Sequence, residues 1–261
     1  MLLEARNISK TFPGRQRATP VHAVKDVSLH ARPGEFVAIV GESGSGKSTV
    51  ARMLLDLIPV TSGTVELDGI RIASMNRRER WAYRRSVQAV LQDPAGSLNP
   101  RKRVQQALGE VIRFHGLASR PSDVRALAVE ALHQVGLSPA EPLLDRFPHE
   151  LSGGQRQRVL IARALVLNPS IIVADEAVSA LDASVKAGVL RVMADLKDSL
   201  GVGYVFITHD LAIVEKVADR VYVMRAGEVV EEGTTEAVFA NPAHEYTRTL
   251  LAATPVLPPL K

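Results

Sequence analysis

The sequence predicts an α/β fold in which a parallel sheet is flanked by helices. Short apolar runs, each followed by a polar or glycine-containing stretch, indicate buried parallel strands. These runs are Phe36 to Val40, Ile171 to Ala174, Tyr204 to Thr208 and Val221 to Met224. Helical patterns lie between them, and the clearest has apolar residues every three or four positions, at Val185, Val189, Val192, Leu196 and Leu200. Strands that alternate with helices in this way predict a parallel sheet.

Two other regions extend this core. Three early stretches, separated by loops rich in Gly, Pro and Arg, indicate antiparallel strands at Leu2 to Phe12, Ala23 to Ala31 and Thr64 to Asp68. Helical patterns at Val104 to His115 and Ser122 to Val135 predict an insertion without a buried strand. We expect one domain over residues 1–261. Its parts are a core with a β subdomain at about 1–93 and 160–234, a helical subdomain at about 94–159, and a tail at 235–261.

Composition limits the class of protein. With 261 residues and 46% hydrophobic content, the chain can bury a packed core. The absence of cysteine excludes disulfides, thiolate metal sites and cysteine nucleophiles, and it agrees with a reducing compartment. The first residues lack the apolar segment of a signal peptide, and no window approaches the roughly 18 apolar residues of a membrane span. We expect a chain that is neither secreted nor membrane-spanning.

Basic residues are concentrated in a few clusters of a chain whose net charge is +4. The clusters are Arg77 and Arg78 with Arg80, Arg84 with Arg85, and Arg101 to Arg103. Aromatic residues make up 4% of the chain and are not expected to interleave with these clusters, which argues against a stacking platform for single strands. Solvated helix faces are the favoured interpretation, a site near a membrane surface is second, and nucleic acid is third. We expect no nucleic-acid partner.

The segment Gly41 to Thr49 matches the pattern G-x-x-x-x-G-K-[ST] and lies between an apolar run and a helical pattern. Glycines let successive backbone N–H groups, and the N-terminus of a helix that begins near Lys47, face one anion. Lys47 adds a positive charge, and the Ser48 hydroxyl can ligate Mg²⁺. The pattern predicts a site for a nucleoside triphosphate with Mg²⁺. Its candidate binding residues are Gly41, Ser43, Gly44, Ser45, Gly46, Lys47, Ser48 and Thr49.

Two further segments carry candidate chemistry. Asp175 and Glu176 follow an apolar run, and open α/β sheets bind their ligands at the carboxyl ends of strands. We expect Asp175 to hold the hydration shell of Mg²⁺ and Glu176 to polarise an attacking water. The segment Leu151 to Gln155 precedes a helical run to about Leu167, with Ser152 as the N-cap. Because its two glycines leave backbone N–H groups uncovered, this helix start predicts a second anion-binding site.

In their order and spacing, these segments resemble the nucleotide-binding subunit of an ABC transporter along nearly the whole chain. Other motifs of that family have counterparts here, namely Gln92 in a glutamine loop, Asp182 in a D-loop and His209 as a switch histidine. The resemblance implies a P-loop NTPase (RecA-like) core with an antiparallel β subdomain and an inserted α-helical subdomain. It also implies that Phe12 stacks on adenine, although an exposed or core phenylalanine is a common alternative near a strand end.

The resemblance further implies that two subunits pair head to tail around ATP and Mg²⁺. Ser152 and Gly154 of one subunit would cap the γ-phosphate held by the other, and Gly153, Gln155 and Asp182 would also contact the nucleotide. The catalytic residues it implies are Glu176, His209, Lys47 and Gln92, and the metal-binding residues are Ser48, Gln92 and Asp175. One departure is Ala177, where the family usually has a proline that would stiffen the turn. We expect hydrolysis to persist, because both carboxylates and the histidine are present.

Two segments resemble the oligopeptide and dipeptide importers of this family, a group that includes nickel importers. They are an extended glutamine loop, Gln92 to Arg101, and a C-terminal box, His244 to Leu251. The resemblance implies an ATPase subunit at the cytoplasmic face of the inner membrane that powers uptake of peptides or nickel. Its partners would be a second ATPase subunit, two membrane permease subunits and an extracytoplasmic solute-binding protein. Some members of the group have C-terminal cysteines and this chain has none, so we expect a heterodimer, with a homodimer as the alternative.

Alternatives to transport remain open. A non-transport ABC-type ATPase, such as a subunit of a phosphonate-degrading assembly, is similar in length and loop sequence, and neighbouring genes would distinguish it. Repair and translation ATPases of the family are disfavoured, because a second cassette or a long coiled coil does not fit in 261 residues. A catalytically silent binding subunit is a further interpretation, which draws only on Ala177.

Overall fold

The computed structural model describes residues 1–14, 19–91 and 94–253. The strands are β1 Leu3–Phe12, β2 Val21–Ala31, β3 Phe36–Val40, β4 Ser62–Leu67, β5 Ile70–Arg71, β6 Val87–Val90, β7 Ile171–Asp175, β8 Gly203–Thr208, β9 Arg220–Arg225 and β10 Glu228–Thr234. The α-helices are α1 Lys47–Leu54, α2 Arg77–Ser86, α3 Pro94–Ser97, α4 Val104–Phe114, α5 Pro121–Gln134, α6 Glu141–Leu144, α7 Gly153–Leu165, α8 Ala183–Leu200, α9 Leu211–Val217, α10 Thr235–Ala240 and α11 Glu245–Ala252. Short 3₁₀ turns cover Ile72–Ser74 and Pro148–Glu150.

The central sheet confirms the predicted α/β fold. Its strand order is β10-β9-β3-β8-β7-β6, and the pairs from β9 to β6 are parallel. Each of the four predicted apolar runs is one of its strands. The prediction missed β6 and the antiparallel edge strand β10. In β10 the sequence EVVEEGT is half-buried or exposed throughout, because one of its edges has no neighbouring strand in the sheet, so it lacks the continuous apolar character of a central strand.

A second, antiparallel sheet has the order β2-β1-β4-β5 and contains the three predicted early strands. Neighbouring residues of β3 point to opposite faces of the central sheet, so that Val37 packs toward the antiparallel sheet while Phe36 packs toward the helices. One apolar cluster therefore joins the two sheets and α1, and another joins the central sheet to α4, α5, α7 and α8. The carboxyl ends of the parallel strands lie next to α1, where the site forms.

The apolar stripe of α8 differs in part from its prediction. Val189, Val192 and Leu196 are buried as expected, but Leu200 is 51% exposed. A helix turns about 100° per residue, so Leu200 lies within about 20° of Met193 around the axis of α8. Met193, which the spacing did not single out, is 1% exposed, so Leu200 is on the buried side of the helix. Leu200 is exposed because it is the last residue of α8, where residues 198–200 all extend past the core.

The region between β6 and β7 is helical in the residues that the structure describes, as predicted. The division of the chain into subdomains at about residues 94 and 160 stays a prediction. Across residues 1–14, 19–91 and 94–253, none of the helices combines the length and the apolar character that crossing a bilayer requires.

Candidate active site

The phosphate loop, the predicted phosphate-binding segment at residues 41–49, runs from β3 into α1 at the carboxyl edge of the central sheet. The helix begins at Lys47, as predicted, and its N-cap is Gly46 in the left-handed region, with φ of 103°. A Cβ at this position would lie 2.4 Å from the carbonyl oxygen of Ala23. Only glycine combines this backbone conformation with so close an approach. The loop residues predicted to bind phosphate are therefore held in one turn between strand and helix.

Lys47 lies at the centre of this turn and is 5% exposed. Its Nζ donates hydrogen bonds of 2.7 Å to the carbonyl oxygens of Gly41 and Glu42. Burial lowers the pKa of the Lys47 ammonium, and the nearby carboxylates of Glu176 and Asp175 oppose that shift. The cation is thus surrounded by oxygen atoms, and it is placed to exchange carbonyl partners for the oxygens of an anionic ligand.

Ser48 and Asp175 meet although they are 127 positions apart in the sequence. The Ser48 hydroxyl donates to Oδ1 of Asp175 at 3.1 Å. Asp175 is the last residue of β7 and is 7% exposed. Burial raises the pKa of the Asp175 carboxyl, the hydrogen bond from Ser48 lowers it, and the charge of Glu176 raises it further, with a net upward shift.

These two oxygens fit Mg²⁺, a hard cation that proteins bind through one or two carboxylates together with substrate phosphates. Among the described residues, no group of three or more His, Cys, Asp or Glu side chains that could hold a metal ion is found. Ser48 and Asp175 supply one hydroxyl and one carboxylate, a donor set that suits a metal which also takes oxygen ligands from a phosphate.

Glu176 follows β7 in an unusual backbone conformation, with φ of 48°. Its N–H donates to the carbonyl of Ile207 at 2.9 Å, and its own carbonyl accepts hydrogen bonds from the N–H and the hydroxyl of Ser179 at 3.1 and 3.0 Å. Left-handed conformations of residues other than glycine persist where surrounding contacts hold them, and they are concentrated at functional sites. Nδ1 of His209 lies 3.4 Å from Oε1 of Glu176. The predicted pair is therefore brought together, on a turn that contains Ala177, which is 2% exposed.

The second predicted anion-binding site lies at the N-terminus of α7. Ser152 is the N-cap, as expected: its hydroxyl accepts from the N–H of Gln155 at 3.2 Å, and Oε1 of Gln155 accepts from the N–H of Ser152 at 2.9 Å. A Cβ on Gly154 would lie 2.4 Å from Cγ1 of Val185 on α8. Glycine here allows the two helices to approach, a packing reason that the sequence did not reveal. A cavity of about 510 Å³ opens beside this helix start, and Arg146 and Arg158 are among its lining residues.

Three other predicted residues are placed as follows. Phe12 ends β1 and is 37% exposed, with the ammonium of Lys10 5.3 Å from the centre of its ring. Asp182 is the N-cap of α8, but its side chain makes no capping hydrogen bond. Gln92 lies outside the described residues.

The expectation that aromatic residues do not interleave with the basic clusters is wrong. Trp81 lies on α2 among the predicted arginines, with Arg77 four positions before it and Arg85 four positions after it. Its ring centre is 4.6 Å from that of His115 and 6.2 Å from that of Phe114, which is 78% exposed. The three rings come from α2 and from the end of α4. The sequence alone could therefore show that Trp81 lies among the arginines, but not that it contacts His115 and Phe114.

Two contacts to the phosphate loop come from the end of the chain and were not predicted. The N–H of Glu42 donates to the hydroxyl of Tyr246 on α11 at 3.1 Å. The N–H of Gly227, in the turn between β9 and β10, donates to the carbonyl of Ser45 at 3.0 Å. No local pattern signals these contacts, because the residues of the first pair are 204 positions apart.

The chain is similar to proteins of known class. A family model described as ABC transporter matches residues 24–179, and a model described as oligopeptide/dipeptide transporter, C-terminal region, matches residues 230–261. The chain is 47% identical over 263 aligned residues to the glutathione import ATP-binding protein GsiA of Escherichia coli, and 46% identical to that of Salmonella typhimurium. These matches cover 99% of the chain but 42% of each relative, so the chain spans less than half the length of these proteins.

Solved structures agree with this similarity. The dimeric, post-hydrolysis state of the ATP-binding cassette MJ0796 bound to ADP and Pi has a TM-score of 0.77 at 31% identity, covering 89% of this chain and 98% of that one. The cbiO1 protein of Clostridium perfringens, part of the ABC transporter complex cbiONQ, has a TM-score of 0.78 at 28% identity, covering 92% and 90%. The chain belongs to the ABC transporter family and has the fold of its ATP-binding cassettes, with a C-terminal region of the oligopeptide/dipeptide type.

Proposed function

We propose that the chain binds and hydrolyses Mg²⁺–ATP and that this reaction powers import of a peptide-class solute through partner membrane subunits. One observation carries the proposal. Lys47, the Ser48–Asp175 pair and the Glu176–His209 pair all lie at the carboxyl edge of one parallel sheet. This is where α/β sheets place their ligands, and the side chains are those that phosphoryl transfer to water requires.

In the proposed complex, residues 41–49 enclose the β- and γ-phosphates. Backbone N–H groups and the N-terminus of α1 face the phosphates, and Lys47 exchanges its carbonyl partners for phosphate oxygens. Phe12 stacks on adenine, which its exposed ring at the end of β1 permits. Ser48 and Asp175 hold Mg²⁺, together with Gln92. The metal neutralises charge on the phosphates when it is bound.

Glu176 is the proposed general base. It accepts a proton from a water molecule as the water oxygen bonds to the γ-phosphorus and the bond to the β–γ bridging oxygen breaks. His209 lies against the same carboxylate and would hold the γ-phosphate and the water. The backbone hydrogen bonds of Glu176 to Ile207 and Ser179 hold the turn. They support a defined orientation of the Glu176 carboxylate although residue 177 is alanine and not proline.

A second protomer would complete each site. The first turn of α7 contains the half-buried Gly153 and the buried Gly154, whose N–H groups have no partner within the helix, with Ser152 and Gln155 fixed by their mutual hydrogen bonds. In the proposed head-to-tail pair, the start of α7 in one protomer caps the γ-phosphate held by the other protomer. Asp182 also contacts the nucleotide. The dimeric MJ0796 cassette, at 31% identity, supports the arrangement. Release of phosphate would remove the bridge and allow the pair to open.

Replacing Ser152 by alanine tests this composite site. The loss of the N-cap is expected to cost about 1 kcal/mol of stability, and the missing hydroxyl is expected to lower phosphate release by the assembled ATPase pair about tenfold or more. Phosphate release and thermal unfolding are measured side by side. Ser122→Ala is the control, because this exposed serine lies in the first turn of α5, whose N-cap is Arg120. A Ser152→Ala pair with the wild-type rate, or full turnover by a monomer, would contradict the composite site.

The solute is proposed from the similarity of the chain. The relatives are named for glutathione import, and the C-terminal region is of the oligopeptide/dipeptide type. Both point to short peptides, with nickel as a further candidate of the same group. The proposed partners are a second ATPase subunit, as a heterodimer or a homodimer, two permeases and an extracytoplasmic binding protein. The complex would lie at the cytoplasmic face of the inner membrane. We also propose the division into subdomains at about residues 94, 160 and 235.

Reconstitution tests the function directly. The chain is co-purified with its native membrane partners, placed in vesicles, and assayed for ATP hydrolysis with the binding protein loaded with glutathione, a dipeptide or Ni²⁺. We expect at least one peptide to stimulate hydrolysis and to accumulate inside the vesicles. A free amino acid is the control solute. Hydrolysis that responds to none of these solutes, or partners that are lyases instead of permeases, would reject import and favour the non-transport alternative.

A further inference from the structure

The C-terminal helix α11 contacts the phosphate loop through one hydroxyl group. Tyr246 accepts the N–H of Glu42 at 3.1 Å. The tyrosine is 6% exposed, and it packs in the apolar cluster that also contains Val40, the residue just before the loop. The guanidinium of Arg225 lies 4.9 Å from the centre of the Tyr246 ring, within the range of a cation–π interaction. Because the ring is held in this way, its hydroxyl has a defined position.

Glu231 on β10 fixes the start of α11. Its two carboxylate oxygens accept the N–H of Ala243 at 2.7 Å and the N–H of His244 at 3.0 Å. His244 caps the helix, since its Nδ1 accepts the N–H of Tyr246 at 3.0 Å. Burial raises the pKa of Glu231, but the nearby Thr247 hydroxyl and the hydrogen bonds from the N–H groups of Ala243 and His244 outweigh it and lower the pKa overall. The donors therefore stabilise the charged carboxylate, and α11 is anchored to the edge of the central sheet.

The peptide groups around Glu42 are constrained from both sides. The carbonyl of Glu42 accepts a hydrogen bond from Lys47, and its N–H donates to Tyr246. The carbonyl of Ser45 is bound in turn by Gly227. A phosphate loop binds its ligand through several peptide N–H groups that must face one point together. A contact that fixes one peptide plane in the loop therefore limits the orientations open to its neighbours.

We propose that Tyr246 is a positioning residue for the phosphate loop and that α11 thereby sets the affinity of the loop for a nucleoside triphosphate. This inference rests on the proposed nucleotide binding at residues 41–49. Tyr246 does not touch the ligand; it acts through the Glu42 peptide. Without its hydroxyl, the loop samples more conformations before the ligand binds, and binding must order them. The C-terminal region is then part of the nucleotide site.

The variant Tyr246→Phe tests the proposal, since it removes one hydroxyl and keeps the ring. We expect the dissociation constant for Mg²⁺–ATP to rise about two- to tenfold, the range of one net hydrogen bond. KM for ATP should rise by a similar factor while kcat stays nearly unchanged, because the lost contact supports binding and not the reacting atoms. Amide hydrogen exchange of residues 41–46 without nucleotide should become faster. If Tyr246 had only a structural role, its replacement would not speed amide exchange in residues 41–46 more than elsewhere in the chain.

The matched control is Tyr222→Phe. This tyrosine is 1% exposed and also loses one hydrogen-bonding hydroxyl, but its partner is His30 on β2. Its ATP affinity should remain that of the wild type. Glu231→Gln, which weakens the anchor of α11, should speed exchange of the loop in the same direction as Tyr246→Phe. An unchanged dissociation constant in Tyr246→Phe overturns the proposal whatever the exchange rates are. If the wild-type chain binds no ATP, the proposed function itself fails. If amide exchange of residues 41–46 is unchanged in Tyr246→Phe, α11 does not order the loop.

Discussion

Replacing Glu176 by glutamine is expected to lower phosphate release by about two to four orders of magnitude, because an amide cannot accept the proton of the attacking water. Glutamine has the same shape, and the backbone contacts of this residue to Ile207 and Ser179 do not involve its side chain. ATP affinity should therefore be retained. The ATP-bound pair of protomers should also persist longer, since the step that would separate them is blocked. Phosphate release, equilibrium ATP binding and gel filtration in the presence of ATP check these expectations.

An exposed ion pair supplies the control for this variant. Glu110 lies on α4 and pairs with Lys102, so Glu110→Gln changes a carboxylate to an amide without touching the site. Its hydrolysis rate should equal that of the wild type. A rate unaffected by Glu176→Gln would refute the assignment of the general base. Loss of ATP binding in the same variant would instead indicate that Glu176 acts in binding.

Replacing Lys47 by methionine is expected to weaken ATP binding roughly ten- to hundredfold, as estimated for the loss of charge-assisted hydrogen bonds. The thioether side chain fills a volume close to that of the lysine stem, but it has no charge for the phosphates. Hydrolysis measured below saturation should fall by at least the same factor. Equilibrium binding of ATP and of ADP is the measurement, and a larger loss for ATP would locate the ammonium near the γ-phosphate.

A second measurement separates binding from folding in Lys47→Met. The Lys47 ammonium donates hydrogen bonds to the carbonyls of Gly41 and Glu42, so the substitution also changes the stability of the loop. Thermal unfolding without nucleotide reports that change alone. Lys102→Met, on the exposed partner of Glu110, is the control and should leave ATP affinity unchanged. Wild-type affinity in Lys47→Met would contradict the placement of phosphate in the loop.

The fold was predictable where hydrophobic periodicity is local and strong. The buried strands β3, β7, β8 and β9 are short apolar runs, and their burial on both faces is the reason for that composition. The edge strand β10 and the two-residue strand β5 were missed, because neither is buried enough to need such a run. Burial at the end of α8 was predicted incorrectly, because the spacing of apolar residues does not show where a helix extends past the core.

The candidate site was predictable where chemistry dictates the residue type. A glycine is required at Gly46 by its backbone, and oxygen ligands and a base were expected at Asp175 and Glu176, where a strand ends. The sequence did not predict that Ser179 would hold the Glu176 turn, nor that Gly154 would face Val185. Such contacts depend on which surfaces meet after folding.

The α/β class, the strand–loop–helix segment with its Gly41 to Thr49 pattern, and the two carboxylates at the end of β7 could all be predicted from sequence, because each follows from the period or the chemistry of a short segment. The three-dimensional packing was needed to see which distant groups meet: Ser48 with Asp175, Glu176 with His209, and Tyr246 with the Glu42 peptide. These pairings arise from packing of the whole sheet and its helices, and no segment of the chain encodes the position of its partner. The contact of α11 with the phosphate loop is the least local of them, since it joins residues 204 positions apart.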